Sequence, residues 1–374
     1  MIQAAASEAR TQWQTRIGDA VFVALFAALV CLPSAFKILG FKDRQLVEKR
    51  VLAPWPGWPS SLPEWSRFPS VVEQYANDHF AMRAELISTN AYVRYRMGLS
   101  ASPKILVGTG GWLYYLGDPE FNFIRGRNLL SSSGIDQWVR TMQERQKYLA
   151  DQGARFLIFP APIKETIYPE HLPSWLQRER HPTEVDQLVQ AAAGRLTVID
   201  VRKRLLERKA QTPVYTPWDS HWNAEGAFLG YEAIVEKLSG MGIRPLKRES
   251  ITLQPAFGEH LQRDLVFMLG IGDFVNVQGS EYVPKTAATI QIQYLTERTD
   301  WASQKIIRTG LAGAPTLVIL GDSYSQALLP YLEDTFGTIV WRHVQDGSFP
   351  KREIERYHPD VVLLEVQEAG LRFM

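Results

Sequence analysis

The sequence predicts an α/β fold in which a parallel β-sheet is flanked by helices. Two observations predict it: from Ser133 onward, short apolar, β-branched runs alternate with amphipathic helical segments, and polar residues follow several of those runs directly. Strands that are apolar along their whole length are typical of a parallel sheet covered on both faces. In such a sheet, functional side chains gather beyond the carboxyl ends of the strands.

The N-terminal part of the chain predicts a membrane anchor. Residues 1–16 form a tail, and the span 17–39 has no charge between Ala20 and Phe36, which approaches the roughly 20 residues that cross a bilayer. No small-x-small cleavage pattern follows, which favours an uncleaved anchor over a signal peptide. A buried core helix is the alternative interpretation. The flanking Lys and Arg residues do not favour a cytoplasmic N-terminus.

Residues 40–69 are rich in proline and tryptophan, and we interpret them as an extended connector. Residues 70–374 then form the main domain, which begins with helical periodicity from Val71 to Met97. Within this domain, residues of about 245–312 break the alternation. We expect an inserted strand pair there, because 289–295 alternates strictly between apolar and polar side chains.

The main domain is expected to contain five apolar strands with helices between them. The strands are Arg155–Phe159, Leu196–Asp200, Thr316–Leu320, Thr338–Val344 and Val361–Val366, and the clearest helices are Glu184–Ala193, Ala224–Leu238 and Ser325–Phe336.

The run Gly321-Asp322-Ser323 follows one of these strands and precedes a helix-like segment. A serine at a strand-to-helix turn is placed where a nucleophile is expected. Backbone N–H groups at the start of the following helix can also point at a developing oxyanion. Gly-Asp-Ser alone is an ordinary turn signal, so Ser323 needs partners before it indicates catalysis.

Asp219 and His221 supply candidate partners about a hundred residues upstream, in the run Asp219-Ser220-His221-Trp222. A serine hydroxyl is a weak nucleophile near neutral pH, so it needs an imidazole to accept its proton and a carboxylate to orient and stabilise that imidazole. The spacing allows one short loop to present both side chains. We therefore predict a catalytic triad of Ser323, His221 and Asp219, although an Asp-x-His pair alone is more often a capping or core feature.

The block Gly321-Asp322-Ser323-Tyr324-Ser325 resembles the nucleophile block of the SGNH (GDSL-like) hydrolases. In those enzymes the aspartate and histidine normally follow the serine, whereas here they precede it. That order is similar to the branch formed by bacterial alginate and other exopolysaccharide O-acetyltransferases, and the likeness extends over roughly residues 45–374. The Gly-x-Asn-Asp block of ordinary SGNH enzymes is missing from the sequence, which leaves the second oxyanion donor unassigned.

The resemblance implies an SGNH-like domain that carries an acetyl group on Ser323 and passes it to a hydroxyl of a secreted polysaccharide, alginate-type first and cellulose or another polymer second. It also implies several partners: the polymer, a membrane-bound O-acyltransferase that exports the acetyl group, and other polysaccharide secretion proteins. The expected location is the inner membrane, with a single-pass anchor and the catalytic domain in the periplasm. We expect no cofactor.

The same residues leave two other functions open. A polysaccharide acetylesterase would use the same triad with water as the acceptor, and a non-catalytic scaffold of a secretion complex would not need Ser323. Composition argues against other classes. With 41 basic and 40 acidic side chains and no basic stripe, nothing favours nucleic-acid binding. Cys31 is the sole cysteine, which excludes a disulfide within the chain, a cysteine-based metal site and, given its apolar surroundings, a cysteine nucleophile.

Overall fold

The computed structural model describes residues 16–28, 31–32, 35, 39–40, 51–80, 82–117, 119–243, 254–257, 263–275, 278–283, 289–344 and 346–374. It contains two compact units, Met1–Tyr92 and Val93–Met374. The predicted tail lies almost wholly outside the described residues, as do parts of the predicted anchor and of the insertion.

The first unit begins with helical residues 16–28. Across the described residues, no helix combines the length and the hydropathy that a bilayer span requires. Because several residues of the span 17–39 are outside that part of the chain, the anchor stays a prediction.

The periodic segment 71–97 was expected to be one helix, and it forms parts of two. Helix α1 (Leu62–His79) begins within the proline-rich segment, where Pro63 occupies the first turn and needs no helical N–H bond. Helix α2 (Arg83–Arg96) follows after Met82, whose φ of 63° breaks the helical path. The last part of the proline-rich segment is therefore helical rather than extended.

In its described residues, the second unit has ten strands and several helices. The strands are β1 (Ile105–Val107), β2 (Leu113–Tyr115), β3 (Arg155–Ala161), β4 (Gln254–Phe257), β5 (Gln278–Glu281), β6 (Gln291–Tyr294), β7 (Lys305–Arg308), β8 (Thr316–Gly321), β9 (Thr338–His343) and β10 (Val361–Gln367). The helices are α3 (Glu120–Ile124), α4 (Ser132–Asp151), α5 (Lys164–Ile167), α6 (Ser174–Arg178), α7 (Glu184–Ala192), α8 (Arg202–Arg208), α9 (Ala224–Gly240), α10 (Asp264–Leu269), α11 (Leu329–Glu333) and α12 (Lys351–Tyr357), with 3-10 turns at Thr109–Gly111, Pro169–His171, Ser323–Ala327 and Glu368–Phe373.

The main sheet has six strands in the order β3-β10-β8-β9-β7-β6. The first four run parallel, as the sequence predicts, but β9 and β7 pair antiparallel and so do β7 and β6. The sheet is therefore mixed rather than wholly parallel. The alternating segment 289–295 contributes β6 to its edge, while β4 and β5 form a separate antiparallel pair.

The predicted strand 196–200 is reduced to one bridge between Val198 and Ile158 of β3. The predicted helix 325–336 is also broken, into the 3-10 turn Ser323–Ala327 and the short α11. Pro330 accounts for this break, because a proline has no N–H to continue the helical hydrogen bonds.

The core lies on both faces of the parallel strands. In β10 every residue from Val361 to Val366 is buried, and β8 is buried from Leu317 to Gly321. Each buried aliphatic side chain of this kind stabilises the fold by about 1.5–3 kcal/mol. The packing fixes the carboxyl ends of these strands, which is where the polar residues lie.

Candidate active site

The turn that carries Ser323 is fixed by the buried side chain of Asp322. Its Oδ1 accepts the N–H of Tyr324 at 2.9 Å, and its Oδ2 accepts the N–H of Gln367, at the end of β10, at 2.6 Å. Burial raises the pKa of Asp322, against the lowering effect of these two bonds. Asp322 therefore ties the end of β8 to the end of β10 and is not itself a member of the predicted triad.

Gly321 precedes this turn because a side chain would not fit there. A Cβ atom at Gly321 would lie 2.8 Å from Oγ of Ser325 and 3.2 Å from Oε2 of Glu365. The hydroxyl of Ser325 cannot move freely, since it donates to the Asp322 carbonyl at 2.6 Å and accepts the indole N–H of Trp341 at 2.7 Å. Ser325 is thus a structural serine beneath the turn, distinct from Ser323 in role.

The structure brings Ser323, His221 and Asp219 together. His221 Nε2 lies 2.8 Å from Ser323 Oγ, and His221 Nδ1 lies 2.8 Å from Asp219 Oδ1. The same carboxylate oxygen accepts the backbone N–H of His221 at 2.8 Å. An ionised carboxylate opposite Nδ1 keeps the proton on that nitrogen, which leaves Nε2 to accept the serine proton. The spacing of two residues lets one loop hold both side chains, as the sequence suggests.

Negative charge surrounds His221. Burial by itself would lower the pKa of His221, but the hydrogen bond and charge of Asp219, with the charges of Asp264 and Asp322, outweigh it and raise the pKa to about 9. Burial would likewise raise the pKa of Asp219, and the bonds from His221 and Asp264 lower it instead. The carboxylate is therefore ionised at neutral pH, and the imidazole holds its proton strongly.

Two aromatic residues lock the histidine loop onto the serine turn. Trp222, the residue after His221, donates its indole N–H to the carbonyl of Tyr324 at 3.1 Å. In return, the hydroxyl of Tyr324 donates to the carbonyl of Ser220 at 2.9 Å. The two sequence motifs are thus joined by reciprocal hydrogen bonds as well as by the His221–Ser323 contact.

Lys164 lies beneath the histidine loop. Its side chain is fully buried, and Nζ donates to the carbonyls of Asp219 at 2.6 Å and of Thr216 and Pro217 at 3.3 Å each. Burial lowers the pKa of Lys164 to about 8, while nearby carboxylates oppose the shift. This ammonium holds the backbone of the segment that presents Asp219 and His221.

Asp264 is a residue of the site that sequence reasoning missed. It begins α10 in the inserted segment, and its backbone N–H donates to Asp219 Oδ2 at 3.0 Å. No motif surrounds it, so the sequence offered no signal. Side-chain atoms of Asp219, His221 and Asp264 lie within 4.8 Å of one another. Hydrogen bonds among these residues and Ser220 account for that clustering, so a metal ion is not needed to explain it.

Three further polar residues lie outside the triad. Asp78 accepts the N–H of Ala53 at 2.8 Å within the first unit. Glu365 is fully buried in β10, and its pKa is raised well above its usual range by burial. Gln367 contributes its backbone N–H to Asp322, as described above.

The sequence matches the family described as "ALGX: SGNH hydrolase-like domain, acetyltransferase AlgX" over residues 105–361. That range covers more than half of the chain and includes Asp219, His221, Asp264 and Ser323. A comparison with curated protein sequences found no match.

Several solved structures are similar in fold. PatB1 from Bacillus cereus, solved with a sulfonyl adduct, has a TM-score of 0.54 and 17% identity, over 71% of this chain and 94% of that one. The O-acetyltransferase domain of Pseudomonas putida AlgJ has a TM-score of 0.46 and 16% identity, over 73% and 94%. Pseudomonas aeruginosa AlgX has a TM-score of 0.43 and 15% identity, over 72% and 62%. Of these three structures, PatB1 has a TM-score above 0.5, and its likeness supports the fold.

Proposed function

The chain belongs to the family of the SGNH hydrolase-like acetyltransferase domain, and from this premise we propose that it is an O-acetyltransferase acting through Ser323 on hydroxyls of a secreted polysaccharide. The observation that carries the proposal is the hydrogen-bonded line from Asp219 through His221 to Ser323, with 2.8 Å at each step. The family supports acetyl transfer, and this line supplies the groups that such a transfer needs.

In the proposed first half-reaction, Ser323 Oγ attacks the acetyl carbonyl of a donor ester while His221 Nε2 takes the hydroxyl proton. The tetrahedral intermediate collapses, the bond to the leaving group breaks, and His221 returns the proton to that group. Asp219 stabilises the imidazolium formed in between. Backbone N–H groups of the serine turn are the proposed donors to the oxyanion.

In the second half-reaction, a sugar hydroxyl attacks the acetyl-serine ester. His221 takes the proton of that hydroxyl, the ester bond to Ser323 breaks, and the proton returns to Ser323 Oγ. The products are an acetylated sugar and the free enzyme, so the cycle consumes no further reagent. With water in place of the sugar, the same steps describe an acetylesterase.

The biological setting is part of the proposal. The sequence resemblance favours an alginate-type polymer first and cellulose or another exopolysaccharide second. We propose a membrane-bound O-acyltransferase as the source of the acetyl group, other polysaccharide secretion proteins as partners, and a periplasmic position for the domain on an inner-membrane anchor.

The test is acetyl transfer by the purified chain from 4-nitrophenyl acetate to oligosaccharides of alginate and, separately, of cellulose. We expect an acetylated sugar by mass spectrometry and a transient acetyl group on the peptide that contains Ser323. Ser323→Ala should remove both signals. Ser239→Ala is the matched control, because the Ser239 hydroxyl bonds the carbonyl of Val235 in its own helix at 2.8 Å.

The outcomes separate the three functions. Acetate release that is unaffected by oligosaccharide, with no acetylated sugar, would establish the esterase and refute the transferase. A scaffold predicts that Ser323→Ala leaves polymer acetylation in cells unchanged while deletion of the protein abolishes it.

A further inference from the structure

We propose that Asp264, which the inserted segment supplies, is a positioning residue for the Asp219–His221 pair and the second negative charge beside the histidine ring. The inference rests on the proposed function, since it assigns a role in the same proton transfer. It extends that function because it makes the inserted segment part of the catalytic apparatus.

Asp264 bonds both residues that precede His221 in the loop. Its own N–H donates to Asp219 Oδ2 at 3.0 Å, so the carboxylate oxygen that His221 does not use is also held. Its side-chain Oδ1 accepts the N–H of Ser220 at 2.8 Å, and its Oδ2 accepts the Ser220 hydroxyl. These bonds fix the rotation of the Asp219 carboxylate and the path of the loop at Ser220. Both determine where the imidazole points.

Asp264 also acts on His221 through charge. Its Oδ2 lies 3.8 Å from Nδ1 of the ring. Burial and the charge of Asp219 raise the pKa of Asp264, whereas the charge of His221 and the hydrogen bonds from Ser220 oppose the shift. Both carboxylate oxygens accept hydrogen bonds from Ser220, which favours the ionised form. The charged groups acting on the ring are Asp219 and Asp264 at Nδ1 and Asp322 beneath the serine turn, with the Lys164 ammonium on the loop carbonyls. Three of the four are negative, so they favour the imidazolium that forms when Ser323 loses its proton.

The position of Asp264 depends on the folding of the inserted segment. Asp264 is the first residue of α10, whose Leu265, Val266 and Leu269 are buried. Packing of these side chains places the carboxylate against the loop. The inserted segment therefore supports the proton transfer directly.

The experiment compares Asp264→Asn with the unchanged chain in two measurements. The first is the pH profile of kcat/KM for 4-nitrophenyl acetate hydrolysis, and the second is an NMR titration of the His221 ring, assigned by its loss in His221→Gln. Asparagine keeps the backbone N–H and one acceptor oxygen but removes the charge. We expect the pKa of His221 to fall by about one unit and the rate on the high-pH plateau to fall about tenfold, because the loop is held less firmly.

Glu297→Gln is the control, since it removes an exposed carboxylate from the same inserted segment and should change neither measurement. Ser220→Ala provides a second variant: it removes the hydroxyl bond to Asp264 but keeps the charge, so the pKa of His221 should stay within a few tenths of a unit.

An unchanged His221 pKa together with an unchanged plateau rate in Asp264→Asn would overturn the proposal. A purely structural role would lower the melting temperature without moving the pKa, and that result would overturn it as well. The NMR titration needs no acetyl transfer. If the pKa shift is found but no acetylated sugar ever forms, the proposed function fails while the role of Asp264 beside His221 stands.

Discussion

Substitution of the buried lysine, Lys164→Met, is the sharpest test of how the histidine loop is held. Methionine matches the length of the side chain but removes the ammonium that bonds the carbonyls of Asp219, Thr216 and Pro217. A hydrogen bond to a charged group contributes about 1.5–3 kcal/mol. The bond to Asp219 is short and buried. The other two are longer, and the Pro217 carbonyl keeps the N–H of Leu113 at 2.8 Å.

Methionine also removes the cost of burying a charge, which offsets part of the loss of these bonds. The loss of the bonds is the larger of the two effects. We expect the free energy of unfolding to fall by about 2–4 kcal/mol and hydrolysis of 4-nitrophenyl acetate to fall more than tenfold at equal folded fraction. Urea denaturation followed by tryptophan fluorescence measures the first quantity. Lys147→Met is the control, because the Lys147 side chain is 78% exposed and pairs with Asp151 on the same helix, an interaction that contributes about 0.3–0.5 kcal/mol.

A midpoint for Lys164→Met that equals that of Lys147→Met, with full activity, would refute the reasoning. Lys164→Arg provides a further check. It keeps the charge, so it should recover more of the activity than methionine does if the donor groups matter.

Two further predictions follow from the site. The pKa of His221 is raised to about 9, and only the neutral ring accepts the proton of Ser323. We therefore expect kcat/KM to rise with pH and to level off above about pH 9. A profile with its midpoint at the ordinary histidine pKa would contradict the raised value. Gly321→Ala places a methyl group 2.8 Å from Ser325 Oγ and should lower stability by about 1–3 kcal/mol in thermal unfolding. At Gly240→Ala the new methyl group meets no described residue within 4 Å beyond its chain neighbours and its own helix backbone, so stability should change by less than about 1 kcal/mol. Equal losses in the two variants would show that crowding at the turn is not the cause.

Sequence reasoning reached the family and the residues of the candidate triad because each rests on a local pattern. The apolar run before Gly321 marks a strand end, and the two-residue spacing of Asp219 and His221 fits one short loop. Long-range partners leave no such pattern. Asp264 donates its backbone N–H to the Asp219 carboxylate 45 residues away along the chain, and Lys164 donates to the Asp219 carbonyl 55 residues away. Nothing in their sequence neighbours distinguishes them from a solvated aspartate or lysine.

The antiparallel edge of the sheet was missed for a related physical reason. The segment that forms β7 has only two apolar residues, between a lysine and an arginine, so its composition is compatible with either strand direction. Its direction is decided by its partners β9 and β6. The segment 196–200 is apolar enough for a strand, but β3 receives a single bridge from it. Hydrophobic pattern indicates that a segment is buried, and pairing depends on what lies beside it.

The strand order has a consequence for biosynthesis. Strand β10 lies between β3 and β8, yet it is the last of the three to leave the ribosome. Until it emerges, β3 has no neighbour in the main sheet and β8 has an open edge. The growing chain therefore exposes two apolar strands that lack their common partner, β10. A ribosome that stalls before residue 361 releases a product that cannot close its sheet, and such a product is a natural substrate for chaperones and proteases.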